Sequence, residues 1–175
     1  MFSLDTLVAL QKVIAFAAMA LLVIAAYSDI RTFRISNLLV LAIGALGVSR
    51  LVLLGDPISV IYAVIAGVLV FLIGLLLFSR RIVGGGDVKL LAATILLIRY
   101  RDFYEFFVFM TVLGALLSVA AIIRNHVPLF VGARGTVRSA AVPYGVAIAA
   151  AGILTLLLQP LLYRYAISFG PSFLW

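Results

Sequence analysis

The sequence predicts an all-α fold, a bundle of six transmembrane helices forming one membrane-embedded domain over residues 1–175. Three observations predict it. Hydrophobic residues make up 66% of the 175 and charged residues 11%, whereas a soluble domain runs near half apolar and a quarter charged. A spanning helix needs roughly 20 apolar residues, so 66% of 175, about 115, supplies five or six of them. The apolar residues also fall into runs separated by short polar, Gly- or Pro-containing segments. A soluble enzyme, a disordered chain and a DNA-binding module are excluded.

The first helix runs from about Leu7 to Ser28, with Lys12 placed to snorkel toward the interface. It is long and weakly basic at its start, so it reads as a spanning helix and not as a cleaved signal peptide. The polar segment Asp29-Ile-Arg-Thr-Phe-Arg-Ile-Ser-Asn37 leads to a second helix, about Leu38 to Leu54. Gly55-Asp56-Pro57 is a turn, and the third helix covers about Ile58 to Phe78. After Ser79-Arg-Arg-Ile-Val-Gly-Gly-Gly-Asp87 comes a fourth apolar run, Val88 to Ile98. Its eleven residues rise roughly 16 Å, half the hydrocarbon thickness. Either it borrows flanking residues, or it starts within the membrane, where irregular backbone survives only beside protein or a wet cavity. The fifth helix is about Phe103 to Ile123. A basic loop, Arg124 to Ser139, which is expected to lie on the inner leaflet as a cover, precedes the sixth, about Ala140 to Leu162. The tail after Pro160 reads as interfacial.

Orientation follows from the cations. With the N-terminus outside, the cytoplasmic side carries Arg31, Arg34, Arg80, Arg81, Lys89, Arg124, Arg134 and Arg138. The outer side carries Lys12, Arg50, Arg99, Arg101 and Arg164. Eight against five favours N-out and C-out. The net charge of +7 fits this bias and anionic inner-leaflet lipid better than nucleic acid. Cysteine is absent, which excludes disulfides and thiolate metal sites.

In so apolar a chain each carboxylate needs a reason. Asp5, Asp56, Asp102 and Glu105 read as terminal, turn or interfacial residues. Asp29 and Asp87 differ, because both fall at the cytoplasmic ends of apolar runs. Asp87 has the bland reading of a helix N-cap, and Asp29 that of an interfacial partner for Arg31 or Arg34. The alternative is a carboxylate pair. Two adjacent Asp cannot both ionise easily and share a proton, so one can deprotonate a water while the other polarises a carbonyl. Gly84, Gly85 and Gly86 would give a turn with positive φ or close backbone approach beside Asp87. They open no phosphate loop, since no Lys-Ser/Thr follows. Lys89 reads either as a stabiliser of that pair or as an anchor, and Asn37 as an orienter of Asp29 or a cap. Gly44, Gly47, Gly67 and Gly74 read as helix-packing positions. Pro143 and Gly145 read as a break or close contact at the start of the sixth helix. His126 reads as a solvated loop residue.

Gly84-Gly-Gly-Asp-Val-Lys-Leu90 resembles the GxGD signature of the type IV prepilin peptidases, the membrane aspartic proteases that mature pilins. Asp29 through Asn37 resembles their first motif, and Val142-Pro-Tyr-Gly-Val146 the start of their last helix. The blocks come in the family's order. The resemblance implies an aspartic endopeptidase in the bacterial inner membrane, its site facing the cytoplasm, which removes the leader from prepilin or pseudopilin precursors. Asp29 and Asp87 would be its catalytic pair, with Gly84, Gly85, Gly86, Lys89 and Asn37 in support and no metal or cofactor. Without cysteines or an extra cytoplasmic segment, the chain resembles the short TadV/CpaA form serving Flp pili, in which N-methylation is not expected. Ser36 stands where the family usually has Pro. A proton-coupled transporter or relay using the same two Asp remains the alternative, as does a subunit in which both are caps.

Overall fold

The computed structural model describes residues 4–55, 57–126 and 143–168. Among these there is no strand; the elements are α1 (Leu4–Thr32), α2 (Asn37–Leu54), α3 (Pro57–Ser79), α4 (Gly85–Ile95), a 3-10 turn (Tyr100–Asp102), α5 (Phe103–His126) and α6 (Tyr144–Ser168). The spans Thr6–Thr32, Pro57–Ser79 and Tyr100–Ile123 are long and apolar enough to cross a membrane. The loop expected over residues 124–139 lies outside the described residues beyond His126, which itself ends α5.

Several boundaries differ from expectation: α1, α5 and α6 run on to Thr32, His126 and Ser168. α4 has the expected eleven residues but begins three earlier, at Gly85, and ends at Ile95. Leu97 and Ile98 then close tight turns on the carbonyls of Thr94 and Ile95. α6 begins at Tyr144, after Pro143, whose carbonyl accepts the Val146 amide.

The bundle is inverted relative to a soluble protein. On α3 the buried residues are Ser59, Ala63 and Gly67, while Ile65, Val68, Leu72, Ile73 and Leu76 are more than half exposed. Small residues inward and large apolar residues outward is the pattern of helices that associate in lipid, where close backbone packing replaces the hydrophobic drive. α4 lies at the centre, against α2, α3 and α6, with Leu90, Thr94, Ile95, Leu97 and Ile98 fully enclosed. Glycines of all three neighbours face it. A Cβ on Gly47 of α2 would stand 2.8 Å from the Leu96 backbone carbon, and one on Gly152 of α6 2.8 Å from Thr94 Cγ2. Gly74 of α3 sits on Val88, and Gly67 against Leu96.

Gly47→Ala therefore forces two backbones apart, an overpacking cost of about 1–3 kcal/mol. Gly44→Ala puts its methyl 3.9 Å from Ala93 Cβ, an ordinary contact. In detergent, the first is expected to lower the thermal unfolding midpoint clearly and the second to leave it near wild type.

Candidate active site

Asp29 lies in the last turn of α1 and is 4% exposed. The helix ends just beyond it. Phe33 takes φ 51° and its amide bonds the Asp29 carbonyl at 2.9 Å, a left-handed helix stop. The chain then turns back. Ser28 Oγ donates to the Arg34 carbonyl at 2.8 Å, and Ser36 enters α2 at φ −63° and ψ 136°. That φ is one a proline would impose, so Ser36 keeps the extended approach to α2. Asn37 is the first residue inside α2 rather than its cap.

Asp87 is the third residue of α4, half-buried, and not the residue before the helix. Gly84 holds the cap position in extended backbone, and the Val88 amide bonds its carbonyl at 3.2 Å. Its first-turn place keeps Asp87 at the positive end of the helix, which favours a carboxylate there. The glycines act through closeness alone: among the described residues Gly55 is the only glycine with positive φ. A Cβ on Gly85 would meet the Phe78 ring at 3.1 Å, and one on Gly86 would meet Ile35 at 3.6 Å.

The two carboxyls line one cavity of about 1030 Å³ between α1, α3, α4, α5 and α6. They are close enough for their charges to interact. The start of α6 completes the arrangement. The Gly145 amide faces both carboxyls, and the Val146 amide faces Asp29. A Cβ on Gly145 would lie 2.7 Å from Asp29 Oδ2 and 3.0 Å from Ile35 Cδ1. Asp29 Oδ2 is enclosed and has no hydrogen bond of good geometry. A buried carboxylate oxygen left this way is costly if both Asp ionise, and a proton shared across the pair removes that cost. The arrangement brings two carboxyls whose charges interact to one open cavity.

Lys89 and Asn37 are placed elsewhere. Lys89 Nζ donates to Asn37 Oδ1 at 3.1 Å, and neither lines this cavity; both border a second, apolar groove between α2 and α3. Arg31 lies over the Tyr27 ring, 5.1 Å from its centroid, not against Asp29. Among the described residues no group of three His, Cys, Asp or Glu could hold a metal ion. Ile35, which lies beside both Gly86 and Gly145, has no signal of its own in the sequence, and the close contact expected of Gly145 falls on Asp29. The signal that could have found Gly145 was its place in the third motif block.

α3 also ends at the cavity in a left-handed residue that is not glycine. Arg81 has φ 59°; its amide bonds the Phe78 carbonyl at 2.9 Å and the Ile82 amide the Leu77 carbonyl at 3.0 Å, the paired closure of a Schellman stop. Left-handed backbone costs a non-glycine residue about 1–2 kcal/mol, and glycine loses about 0.5–1 kcal/mol in chain entropy. Arg81→Gly is thus expected to stabilise the chain by about 1 kcal/mol, read as a higher unfolding midpoint.

The fold and cavity define a helical membrane protein with two carboxyls converging on one cleft. Residues 16–119, which include both Asp, match the type IV leader peptidase family, and the chain belongs to that family. No curated protein and no solved structure matches it.

Proposed function

We propose that the chain is one membrane-embedded aspartic endopeptidase domain of the bacterial inner membrane, and that it removes the leader from prepilin-like precursors at the cytoplasmic face. Asp29 and Asp87 are its catalytic pair. The observation that carries this is their convergence, from positions 58 residues apart on α1 and α4, on one cavity beside the Gly145 amide. One carboxylate takes a proton from a water as the water attacks the scissile carbonyl. The other, protonated, donates its proton to the carbonyl oxygen; as the tetrahedral intermediate collapses, the first passes the proton it took from water to the leaving amine and the second takes a proton back from the gem-diol hydroxyl. The pair titrates as a unit, so the roles belong to the pair. The glycines at the start of α4 let Phe78 and Ile35 come close beside Asp87, and the glycines themselves line the cavity it faces. Lys89 and Asn37, bonded to each other, fix the start of α4 to the start of α2. The lack of cysteine in the 175 residues is in keeping with a TadV/CpaA-like form serving Flp pili.

The relay reading needs a polar path from the pair to the opposite end of the bundle. In between, α4 presents Leu90, Ala93, Thr94 and Ile95, and the Thr94 hydroxyl bonds its own helix at 2.8 Å. That apolar stretch argues for the peptidase. The test is co-expression with an Flp-type prepilin, with loss of the leader followed by gel shift. A prepilin that stays full length across several candidate substrates would sink the proposal.

A further inference from the structure

A second polar centre lies at the other end of α4, away from the two Asp. Arg50 of α2 was expected as an outer-face charge, but it is only 7% exposed. Its guanidinium donates to the Leu97 carbonyl, in the turn that ends α4, and to Gln159 Oε1 of α6. Arg99 and Asp102 lie within charge range of it, and Glu105 within range of Asp102. Gln159 is 8% exposed, and Leu97 and Ile98 are fully enclosed.

Leu97 O is a main-chain acceptor at the end of a short helix, where the helix's own amides no longer reach it. In an apolar interior an unmet carbonyl is costly, and Arg50 meets it. Gly47, one turn before Arg50 on α2, makes the reach possible by letting the two backbones approach at Leu96. The sides of α4 rest on Gly67, Gly74 and Gly152. These contacts hold the helix laterally, and the exposed Lys89–Asn37 bond ties only its start to α2. A planar guanidinium with two partners in fixed directions does resist sliding. α4 is a rigid rod of roughly 16 Å with Asp87 in its first turn, so an axial shift at Leu97 is passed to Asp87 undiminished.

We infer that Arg50, held by Gln159, is a positioning residue: it sets the axial register of α4 and so places Asp87 opposite Asp29. The inference rests on the peptidase reading for its kinetic consequence and stands apart from it for its geometry.

The test uses both readouts. The chain has no cysteine, so Asp29→Cys with Asp87→Cys gives a pair whose crosslinking by a short bifunctional thiol reagent reports register without any need for activity. Arg50→Lys keeps the charge but loses the fork, and Gln159→Met frees one arm. Each is expected to slow crosslinking at least about tenfold. In the chain with both Asp intact, each is expected to lower kcat for prepilin cleavage about tenfold with KM within about twofold, as a misplaced reacting group does. If Arg50→Lys does not accumulate, Gln159→Met decides. Unchanged crosslinking and unchanged kcat per folded molecule in the variants that accumulate overturn the inference. A cysteine pair that crosslinks on an otherwise wild-type background, while the wild-type chain cleaves nothing, overturns the peptidase reading and leaves the register result intact.

Discussion

Asp29→Asn and Asp87→Asn are each expected to stop leader cleavage, a loss of at least about 10³-fold, while the protein accumulates at wild-type levels. The magnitude follows from general acid–base catalysis, which contributes about 10²–10⁴-fold for a positioned group. Asparagine is nearly isosteric with aspartate but cannot accept and release the proton the pair shares. The expected retention of fold is specific to this site. Asp29 makes no well-formed hydrogen bond through Oδ2 that an amide would forfeit, and no salt bridge joins either Asp to a cation among the described residues. Replacing one of the two carboxyls also removes the mutual penalty on ionisation that the pair carries, so each variant should unfold no earlier than wild type. If both Asp were merely helix-end residues, the substitutions would be silent in the cleavage assay. Residual cleavage above about a hundredth of wild type in either variant would remove that residue from the pair.

The helix order and the two Asp are legible in the sequence because each depends on local information: apolar runs, polar interruptions and carboxylates rare enough to stand out. What escapes depends on partners distant in the chain. The fourth helix reads as starting at Val88, where hydropathy rises, yet Gly85 and Gly86 are helical. Glycine disfavours helix by about 1 kcal/mol, and here the Phe78 ring on Gly85 and Ile35 on Gly86 accompany the override. That moves Asp87 from a cap into the first turn. The first helix carries on through Asp29, Ile30, Arg31 and Thr32, a mostly polar stretch that an apolar window discards but that continues a helix readily once it is formed. Arg50 and Gln159 are 109 residues apart, and no periodicity links them. A single arginine near the end of an apolar run reads as an interfacial anchor, because the enclosed carbonyl it serves exists only once α4 stops short.

Gly145→Ala is expected to reduce cleavage about 10²-fold without comparable loss of stability, the penalty that a roughly 1 Å misplacement of a reacting group carries. The added methyl would stand 2.7 Å from Asp29 Oδ2, 2.9 Å from its Cγ and 3.0 Å from Ile35 Cδ1. Something must move. α6 is anchored by Ala147, Ile148, Ala149 and Ala151, all at most 1% exposed, so the helix does not withdraw easily. On its other side Ile35 faces Gly86, where even an added methyl would stand 3.6 Å from its Cβ and Cγ1. The Asp29 side chain has the softest path, a χ rotation costing about 0.5–1.5 kcal/mol. That rotation swings the carboxyl away from the Gly145 and Val146 amides and out of line with Asp87. Chain stability therefore falls little, while the geometry the reaction needs is lost. Gly44→Ala, with its methyl at ordinary contact distance, supplies the silent comparison in the same assay. A Gly145→Ala enzyme that cleaves at the wild-type rate would mean that the seat at the start of α6 does not fix Asp29. An enzyme that fails only because it no longer folds would make Gly145 a packing residue like Gly47. Intact folding with lost turnover is the outcome that ties the third motif to the first.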